Sequence, residues 1–185
     1  YPHGTMAAQV LGHLADISAE QLKEKHFKGY QAGDVVGVEG LEKTYDRWLR
    51  GRDGVARIEV DAFGRPKQTD PVGGRMPEPG DTLVTTLDAK VQAAAEKALR
   101  TGVSLAHSDG KVEANGGAAV VLDVRNGDVL ALASYPTYDP DVWVGGISEK
   151  DNRRLSKKSA NYPLLNRPIM ETKAVGSTFK VVDAI

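Results

Sequence analysis

Two apolar runs separated by an Asn-Gly turn constrain the fold of this chain more than any other feature. Residues 117–124 and 128–134 are rich in Ala, Val and Leu, and they flank Arg125-Asn126-Gly127. Asn-Gly between two such runs is typical of a tight β-hairpin, because both residues accept the positive φ that the turn needs. The runs are apolar on both faces, so we expect a central antiparallel hairpin covered by helices on each side.

A helix and a further strand are predicted just before the hairpin. Residues 82–87 are rich in Thr and Val, which predicts a strand. Asp88 follows directly and is placed to cap a helix that ends at Gly102. The polar residues 105–117 then predict a loop. An antiparallel hairpin combined with helices indicates an α+β domain.

The first part of the chain predicts two helices. Ser18-Ala19-Glu20-Gln21 is a capping box, which predicts a short helix from Ala19 to about Lys25. A second helix is predicted to end at Gly51. Its apolar residues recur at helical spacing and should form the packing face: Leu41, Tyr45, Trp48 and Leu49.

A strand, a turn and a domain boundary are predicted after this helix. Apolar and charged residues alternate from Ala56 to Ala62, which predicts a half-buried strand. Phe63-Gly64-Arg65-Pro66 predicts a turn. Residues 64–80 contain four prolines and several glycines, so they are the best candidate for a domain boundary.

Composition excludes several classes of protein. The chain has 185 residues, of which 41% are hydrophobic and 26% charged, and its net charge is -1. The balance gives no indication of a nucleic-acid-binding protein, and no apolar run reaches membrane-spanning length. The absence of cysteine excludes disulfides and thiol catalysis. The histidines lack the spacing of metal ligands, so no metal site is predicted: His3, His13, His26 and His107.

The chemistry-bearing motif is Gly176-Ser177-Thr178-Phe179-Lys180, near the end of the chain. It predicts a glycine turn that delivers Ser177 to the start of a helix, with Lys180 one turn later on the same face. A serine hydroxyl needs a base to act as a nucleophile, and a lysine serves when burial and neighbouring charges keep it neutral. The free N–H groups at a helix start favour an oxyanion.

The spacing alone leaves alternatives open. It fits an exposed helix start as well as a catalytic pair. A second match, Ser108-Asp109-Gly110-Lys111, lies in a polar segment where a loop is expected. A loop would not hold the two side chains together, so we do not expect catalysis there.

The motif at Ser177 and the preceding Pro163-Leu164-Leu165-Asn166-Arg167 resemble the first catalytic motif of penicillin-binding proteins, in particular the class B monofunctional D,D-transpeptidases. A second run, Gly40-Leu41-Glu42 with Tyr45-Asp46 and Leu49-Arg50-Gly51, resembles a signature of their non-catalytic N-terminal domain. One departure is Lys173-Ala174-Val175, where the family often has Tyr-Pro-Pro.

The resemblance implies a domain organisation and a reaction. Residues 1–80 would form a non-catalytic pedestal of the dimerisation type, and residues 81–185 the first part of a transpeptidase domain built on a five-stranded antiparallel sheet. Ser177 would attack the penultimate D-Ala carbonyl of a peptidoglycan stem peptide, with Lys180 as its base. The acyl group would then pass to the amine of a neighbouring stem. β-Lactams would acylate the same serine.

The resemblance also implies surroundings. The partners would be stem peptides, β-lactams and a membrane synthase that polymerises glycan, with no nucleic acid, no metal and no cofactor. The protein would work in the cell envelope at the outer face of the cytoplasmic membrane, anchored by a segment upstream of Tyr1.

Two further family motifs, Ser-x-Asn and Lys-Thr/Ser-Gly, follow the serine motif in relatives. Ser159-Ala160-Asn161 matches the first in letters but precedes Ser177, and Lys43-Thr44-Tyr45 lacks the glycine. We therefore expect this chain to be the N-terminal portion of a larger protein and to be inactive alone, since losing one oxyanion donor typically costs about a hundred- to a thousand-fold in rate.

Two other functions are compatible with the serine motif. A serine β-lactamase or β-lactam sensor can share Ser-Thr-Phe-Lys, although simple β-lactamases lack an additional N-terminal domain of this size. A non-catalytic envelope scaffold could keep the fold for binding.

Overall fold

The structure is a computed structural model that describes residues 1–67, 73–111, 113–172 and 180. Its α-helices in chain order are α1 (Ala8–Leu11), α2 (Gly40–Leu49), α3 (Ala89–Ser108), α4 (Glu149–Ser156) and α5 (Arg167–Met170). Its strands are β1 (Leu14–Asp16), β2 (Val35–Gly37), β3 (Val55–Arg57), β4 (Gly73–Arg75), β5 (Gly117–Leu122) and β6 (Val129–Tyr135). Short 3-10 turns occupy Gln21–Lys23, Lys25–Phe27, Pro140–Trp143 and Lys158–Ala160.

The described residues divide into two compact units, residues 13–85 and residues 1–12 together with 86–185. Each unit is described by itself below. The domain boundary predicted near residue 80 stays a prediction. Among the described residues, every helix is too short or too polar to cross a bilayer.

The hairpin predicted around Asn126-Gly127 is confirmed. β5 and β6 pair antiparallel, with Val120 opposite Leu132, and the register shifts after Val121. Gly127 has a φ of 82°, in the left-handed region that favours glycine. The loop is closed by the backbone N–H of Asp123, which donates to the carbonyl of Asp128 at 2.9 Å. The apolar runs therefore form the sheet that they predict.

The prediction that both faces of the hairpin are covered is wrong for β5 in the described structure. β6 is buried, since Ala131 and Ala133 are fully enclosed. β5 is half-buried at alternate positions and exposed at the others, with Val120 49% exposed. The exposed positions alternate along β5, so one of its faces has no covering layer among the described residues. The apolar residues of β5 are therefore only partly buried by the described part of the chain.

Helix α3 begins as predicted and ends later. The side chain of Asp88 accepts hydrogen bonds from the N–H groups of Lys90 (2.8 Å) and Val91 (3.0 Å), which confirms the cap. The predicted stop at Gly102 is wrong, because α3 continues to Ser108 and replaces the first part of the predicted loop. A glycine inside a helix costs only about 1 kcal/mol, so Gly102 by itself does not end α3.

The strand predicted at residues 82–87 is also wrong. Thr86, which lies in this segment, instead bonds the backbone of β6: its hydroxyl donates to the carbonyl of Val129 at 2.8 Å. The side-chain amide of Gln92 then donates to the carbonyl of Leu132 and accepts from its N–H, at 3.2 and 2.8 Å. Side chains from α3 and its N-terminus thus take the bonds that a strand would have made.

In the unit of residues 13–85, β1 and β2 pair antiparallel over a cluster of Ile17, Phe27 and Val36. The capping box is confirmed, since Ser18 and Gln21 exchange hydrogen bonds of 2.8 and 3.2 Å. The helix predicted to follow it is wrong: two 3-10 turns stand in its place. Phe27, on the second turn, is buried in the cluster, so tertiary packing overrides the helix signal.

The strand predicted from Ala56 to Ala62 is shorter and more exposed than expected. β3 spans three exposed residues that pair with β4. The turn at Phe63–Pro66 is confirmed, because the Asp61 carboxylate accepts the N–H groups of Phe63 and Arg65 at 2.8 and 2.9 Å. Short-range turn chemistry is read correctly here, whereas strand length depends on the partner available.

Candidate active site: the approach to the serine motif

Of the two predicted catalytic residues, Ser177 lies outside the described residues. Lys180 is described as an exposed residue in helical conformation. The predicted catalytic pair therefore stays a prediction. The structure does describe the chain that leads to the motif, up to residue 172.

Ser134 connects the segment that leads to the motif, residues 161–172 (the approach), to the sheet. It is a buried residue near the end of β6. Its hydroxyl donates to the carbonyl of Leu165 at 3.0 Å and accepts from the backbone N–H of Arg167 at 3.3 Å. One side chain thus links the central hairpin to the first turn of α5.

Arg167 is the centre of the approach, and it is 3% exposed. Its guanidinium donates to the carbonyls of Asn161 (2.5 Å) and Tyr162 (3.2 Å), and it pairs with the Glu171 carboxylate at 3.2 Å. Burial lowers the pKa of Arg167, and the negative charge of Glu171 opposes that shift. A buried arginine that is fully engaged in this way holds the backbone on both sides of it.

The space around this guanidinium is closed on its other side by Gly116. A Cβ at this position would lie 2.8 Å from Arg167 Nε and 2.8 Å from the carbonyl oxygen of Tyr135. Both distances are below those of real Cβ contacts, so only glycine fits without a shift.

The N-terminal residues brace the same segment. The Gln9 amide donates to the carbonyls of Pro163 (2.8 Å) and Pro136 (3.0 Å), and the Asn166 amide donates to the carbonyl of Gln9 (3.1 Å). Asn166 Oδ1 is buried without a hydrogen-bond partner among the described residues. Residues 161–171 are therefore held from the sheet, from α1 and from within.

The second Ser-x-x-Lys match does not form a pair on one helix. Ser108 is the last residue of α3, and its hydroxyl donates to the carbonyl of Ser104 at 3.1 Å. The helix ends before Lys111, which lies beyond Gly110 with a φ of 78°. The Ser159-Ala160-Asn161 match makes a structural contact instead: the Asn161 amide donates to the carbonyl of Asn115.

Helix α2, whose sequence resembles the N-terminal domain signature, packs differently from the prediction. The expected apolar packing face is only partly buried, and Trp48 is 43% exposed. The residue that faces inward is Asp46, which is 4% exposed. Its carboxylate accepts the N–H of Gly37 at 2.8 Å and the hydroxyl of Tyr30. The signature therefore contains a buried polar anchor that periodicity did not reveal.

Charges cluster around this anchor. The Arg50 guanidinium stacks on the Tyr30 ring at 3.8 Å and bonds the Asp34 carboxylate at 2.5 Å. Burial raises the pKa of Tyr30, and its hydrogen bond to Asp46 raises it further. Burial also raises the pKa of Glu42, with an added contribution from the charge of Asp46. The network joins α2 to the loop before β2.

Replacing Asp46 with alanine is expected to lower the free energy of unfolding by about 1–3 kcal/mol, because the buried N–H of Gly37 loses its acceptor. Asp46→Asn keeps an acceptor and should lose less. Asp53→Ala, which removes a side chain that is 88% exposed, is the matched control. Urea denaturation measures all three, and equal losses for Asp46→Ala and Asp53→Ala would contradict the anchoring role.

Metal ligands do not gather in the part of the chain that the structure describes, where no three His, Asp or Glu side chains come together. Sequence reasoning missed the burial of Gln9, Ser134 and Arg167. Arginine and glutamine are mostly exposed in proteins, so nothing in one sequence indicates these anchors.

Comparison with known proteins identifies the class. Residues 1–85 match the penicillin-binding protein dimerisation domain, and residues 117–185 match the penicillin-binding protein transpeptidase domain. The chain therefore belongs to the penicillin-binding proteins, as its serine motif predicted. The dimerisation domain followed by the transpeptidase domain is the organisation of the class B members, and its relatives agree with that assignment.

Two relatives are both named peptidoglycan D,D-transpeptidase MrdA. The protein from Acinetobacter baumannii is 31% identical over all of this chain and 25% of its own length. The one from Escherichia coli is 33% identical over all of this chain and 27% of its own length. A solved complex of penicillin-binding protein PBP2 and MreC from Helicobacter pylori matches with a TM-score of 0.64 and 30% identity, over 90% of this chain and 28% of that one. The chain thus spans about a quarter of these relatives.

Proposed function

We propose that the full-length protein is a D,D-transpeptidase that cross-links peptidoglycan stem peptides through a serine acyl-enzyme. The observation that carries the proposal is the match of residues 117–185 to the transpeptidase domain, in a chain similar along its whole length to named D,D-transpeptidases. That match spans both Ser177 and Lys180.

In the proposed reaction, the Ser177 hydroxyl attacks the penultimate D-Ala carbonyl and Lys180 accepts its proton. The tetrahedral oxyanion is stabilised by backbone N–H groups, among them that of Ser177. The C–N bond then breaks, and the terminal D-Ala leaves as an amine that takes up a proton. The amine of a second stem peptide attacks the ester, forms the cross-link and restores the serine. β-Lactams acylate Ser177 in the same first step, and the resulting acyl-enzyme persists.

The described approach supports this chemistry through positioning. Ser134, Arg167 and Asn166 fix the backbone that leads to the motif with six hydrogen-bonded or ionic contacts, to β6, α1, the preceding turn and Glu171. Acyl transfer depends on placing the nucleophile within a fraction of an ångström, so a rigid approach favours it.

We further propose that residues 1–80 and residues 81–185 have separate roles. The first segment would act as a dimerisation-type pedestal and partner-binding surface, and the second would carry the reaction. The Helicobacter relative is solved with MreC, so a partner of that kind is a candidate here, together with a membrane synthase that polymerises glycan. The place of action would be the cell envelope.

Labelling with a fluorescent penicillin tests the proposal. Full-length protein should carry a stable adduct, which mass spectrometry should locate at Ser177. A polypeptide limited to residues 1–185 should remain unlabelled, because it covers only a quarter of the length of its relatives. An adduct that hydrolyses within seconds would indicate a β-lactamase, and the absence of any adduct on the full-length protein would leave a scaffold role.

A further inference from the structure

A cleft in the unit of residues 1–12 and 86–185 has no role in the reaction proposed above. It opens between the C-terminal half of α3, the end of β6 and the 3-10 turn Lys158–Ala160, with a volume of 560 Å³. Small-molecule sites commonly occupy about 300–1,000 Å³. The cleft is therefore large enough to receive part of a ligand.

Its charge is one-sided. Arg100 of α3 and Lys158 of the opposite turn line it, and no carboxylate does so among the described residues. Arg100 and Lys158 form no ion pair within the described part of the chain. Cationic groups that converge on one concave surface raise the local positive potential and concentrate anions. We refer to it as the basic cleft.

The contrast with nearby arginines makes this distribution informative. Arg153 and Arg154 belong to the same basic stretch of sequence as Lys158, and on α4 they pair with Glu149 and Asp151. The paired residues lie on the helix surface, whereas the unpaired lysine lines the cleft. The structure thus separates this basic stretch into arginines that are paired with carboxylates and a lysine that lines the cleft.

Neutral groups complete the lining. The hydroxyls of Ser104 and Ser159 and the amide of Asn161 can donate hydrogen bonds to an anion, and the half-buried ring of Tyr135 offers an apolar surface. This mixture of an apolar wall with a few convergent donors is what ligand sites use for orientation.

The wall that carries Lys158 is also fixed in place. Asn161 and Tyr162 have φ values of 54° and 49°, a conformation that is uncommon for two successive residues with side chains. The buried Arg167 guanidinium holds both of their carbonyls. A wall ordered before binding lowers the entropy cost of binding.

We propose that the basic cleft binds an oxyanion carried by a cell-wall polymer, at a site separate from the acylated serine. The shared chemistry is a carboxylate or a phosphate group. We take an acidic peptidoglycan stem as the source, a choice that rests on the proposed function, and the test distinguishes it from a polyol-phosphate polymer. Binding there would hold a strand on the surface of the enzyme without taking part in acyl transfer.

The test uses full-length protein acylated beforehand with penicillin, which blocks the serine. The cleft variant is Arg100→Gln with Lys158→Gln, and the matched control is Arg153→Gln with Arg154→Gln, which changes the net charge equally. Calorimetry measures binding of a purified disaccharide-tetrapeptide, of its carboxyl-amidated form and of poly(glycerol phosphate). The cleft variant should bind the preferred anion about tenfold more weakly, as expected for losing two exposed ionic contacts, and the control should bind like the parent.

Each result decides between the outcomes. A loss confined to the disaccharide-tetrapeptide and absent from its amidated form identifies the carboxylate source, and a loss confined to the phosphate polymer identifies the other. Equal binding by the parent and the cleft variant, or equal weakening in the control, would overturn the proposal. Penicillin acylation is measured on every variant: a protein that is acylated but binds no anion refutes the cleft alone, whereas a protein that is never acylated refutes the proposed function.

Discussion

Replacing Ser177 with alanine in the full-length protein is expected to abolish labelling by a fluorescent penicillin and to lower the rate of cross-linking roughly 10⁴- to 10⁶-fold, the range seen when a covalent nucleophile is removed. The loss is large because the ester intermediate cannot form, so no other group can take over the first step. Gel fluorescence measures labelling, and analysis of cross-linked muropeptides measures the reaction.

Ser108→Ala provides a matched control for this experiment. Ser108 heads the second Ser-x-x-Lys sequence, but its hydroxyl bonds the backbone of α3 and the helix ends before Lys111. This variant should be labelled like the parent. Labelling that survives in Ser177→Ala, or that disappears in Ser108→Ala, would show that the nucleophile has been assigned to the wrong serine.

Replacing Arg167 with methionine is expected to lower the free energy of unfolding by about 3 kcal/mol, since removing one partner of a buried ion pair usually costs 3–5 kcal/mol. The Glu171 side chain is 25% exposed, which places the expected value at the lower end. The backbone carbonyls of Asn161 and Tyr162 each lose the hydrogen bond that the Arg167 guanidinium donates. Penicillin labelling should slow as well, because the approach to the motif loosens.

The control for this prediction is Arg153→Met on α4. Arg153 also pairs with a glutamate four residues away, but both side chains are exposed, so its loss should cost less than about 1 kcal/mol. Combining Arg167→Met with Glu171→Gln should recover part of the stability, as expected for coupled neighbours. Urea denaturation that gives equal losses for Arg167→Met and Arg153→Met would contradict the central role of Arg167.

Local chemistry was predictable from the sequence. The Asn-Gly turn, the Asp88 cap, the capping box at Ser18 and the turn at Phe63 all depend on contacts within a few residues, and all four are present. The class of protein also followed from short motifs, because serine acylation requires particular residues at a particular spacing.

What depends on tertiary contacts was not predictable. α3 continues through Gly102 to Ser108, and residues 82–87 form no strand although Thr86 bonds the backbone of β6. Asp46 is buried on the backbone N–H of Gly37 and Arg167 on backbone carbonyls, contacts that no sequence pattern marks. Periodicity describes one element at a time, whereas burial of a charge is a property of the assembled fold.

The Gln92 amide affects which edge of the β5–β6 sheet is free to pair with another strand. By bonding both backbone groups of Leu132 it occupies the outer edge of β6 at that residue, whereas β5 has no further strand beside it among the described residues. Two copies of this sheet that pair through β5 would form a two-fold dimer. Self-association through the described sheet should therefore give a closed dimer and not open-ended fibres.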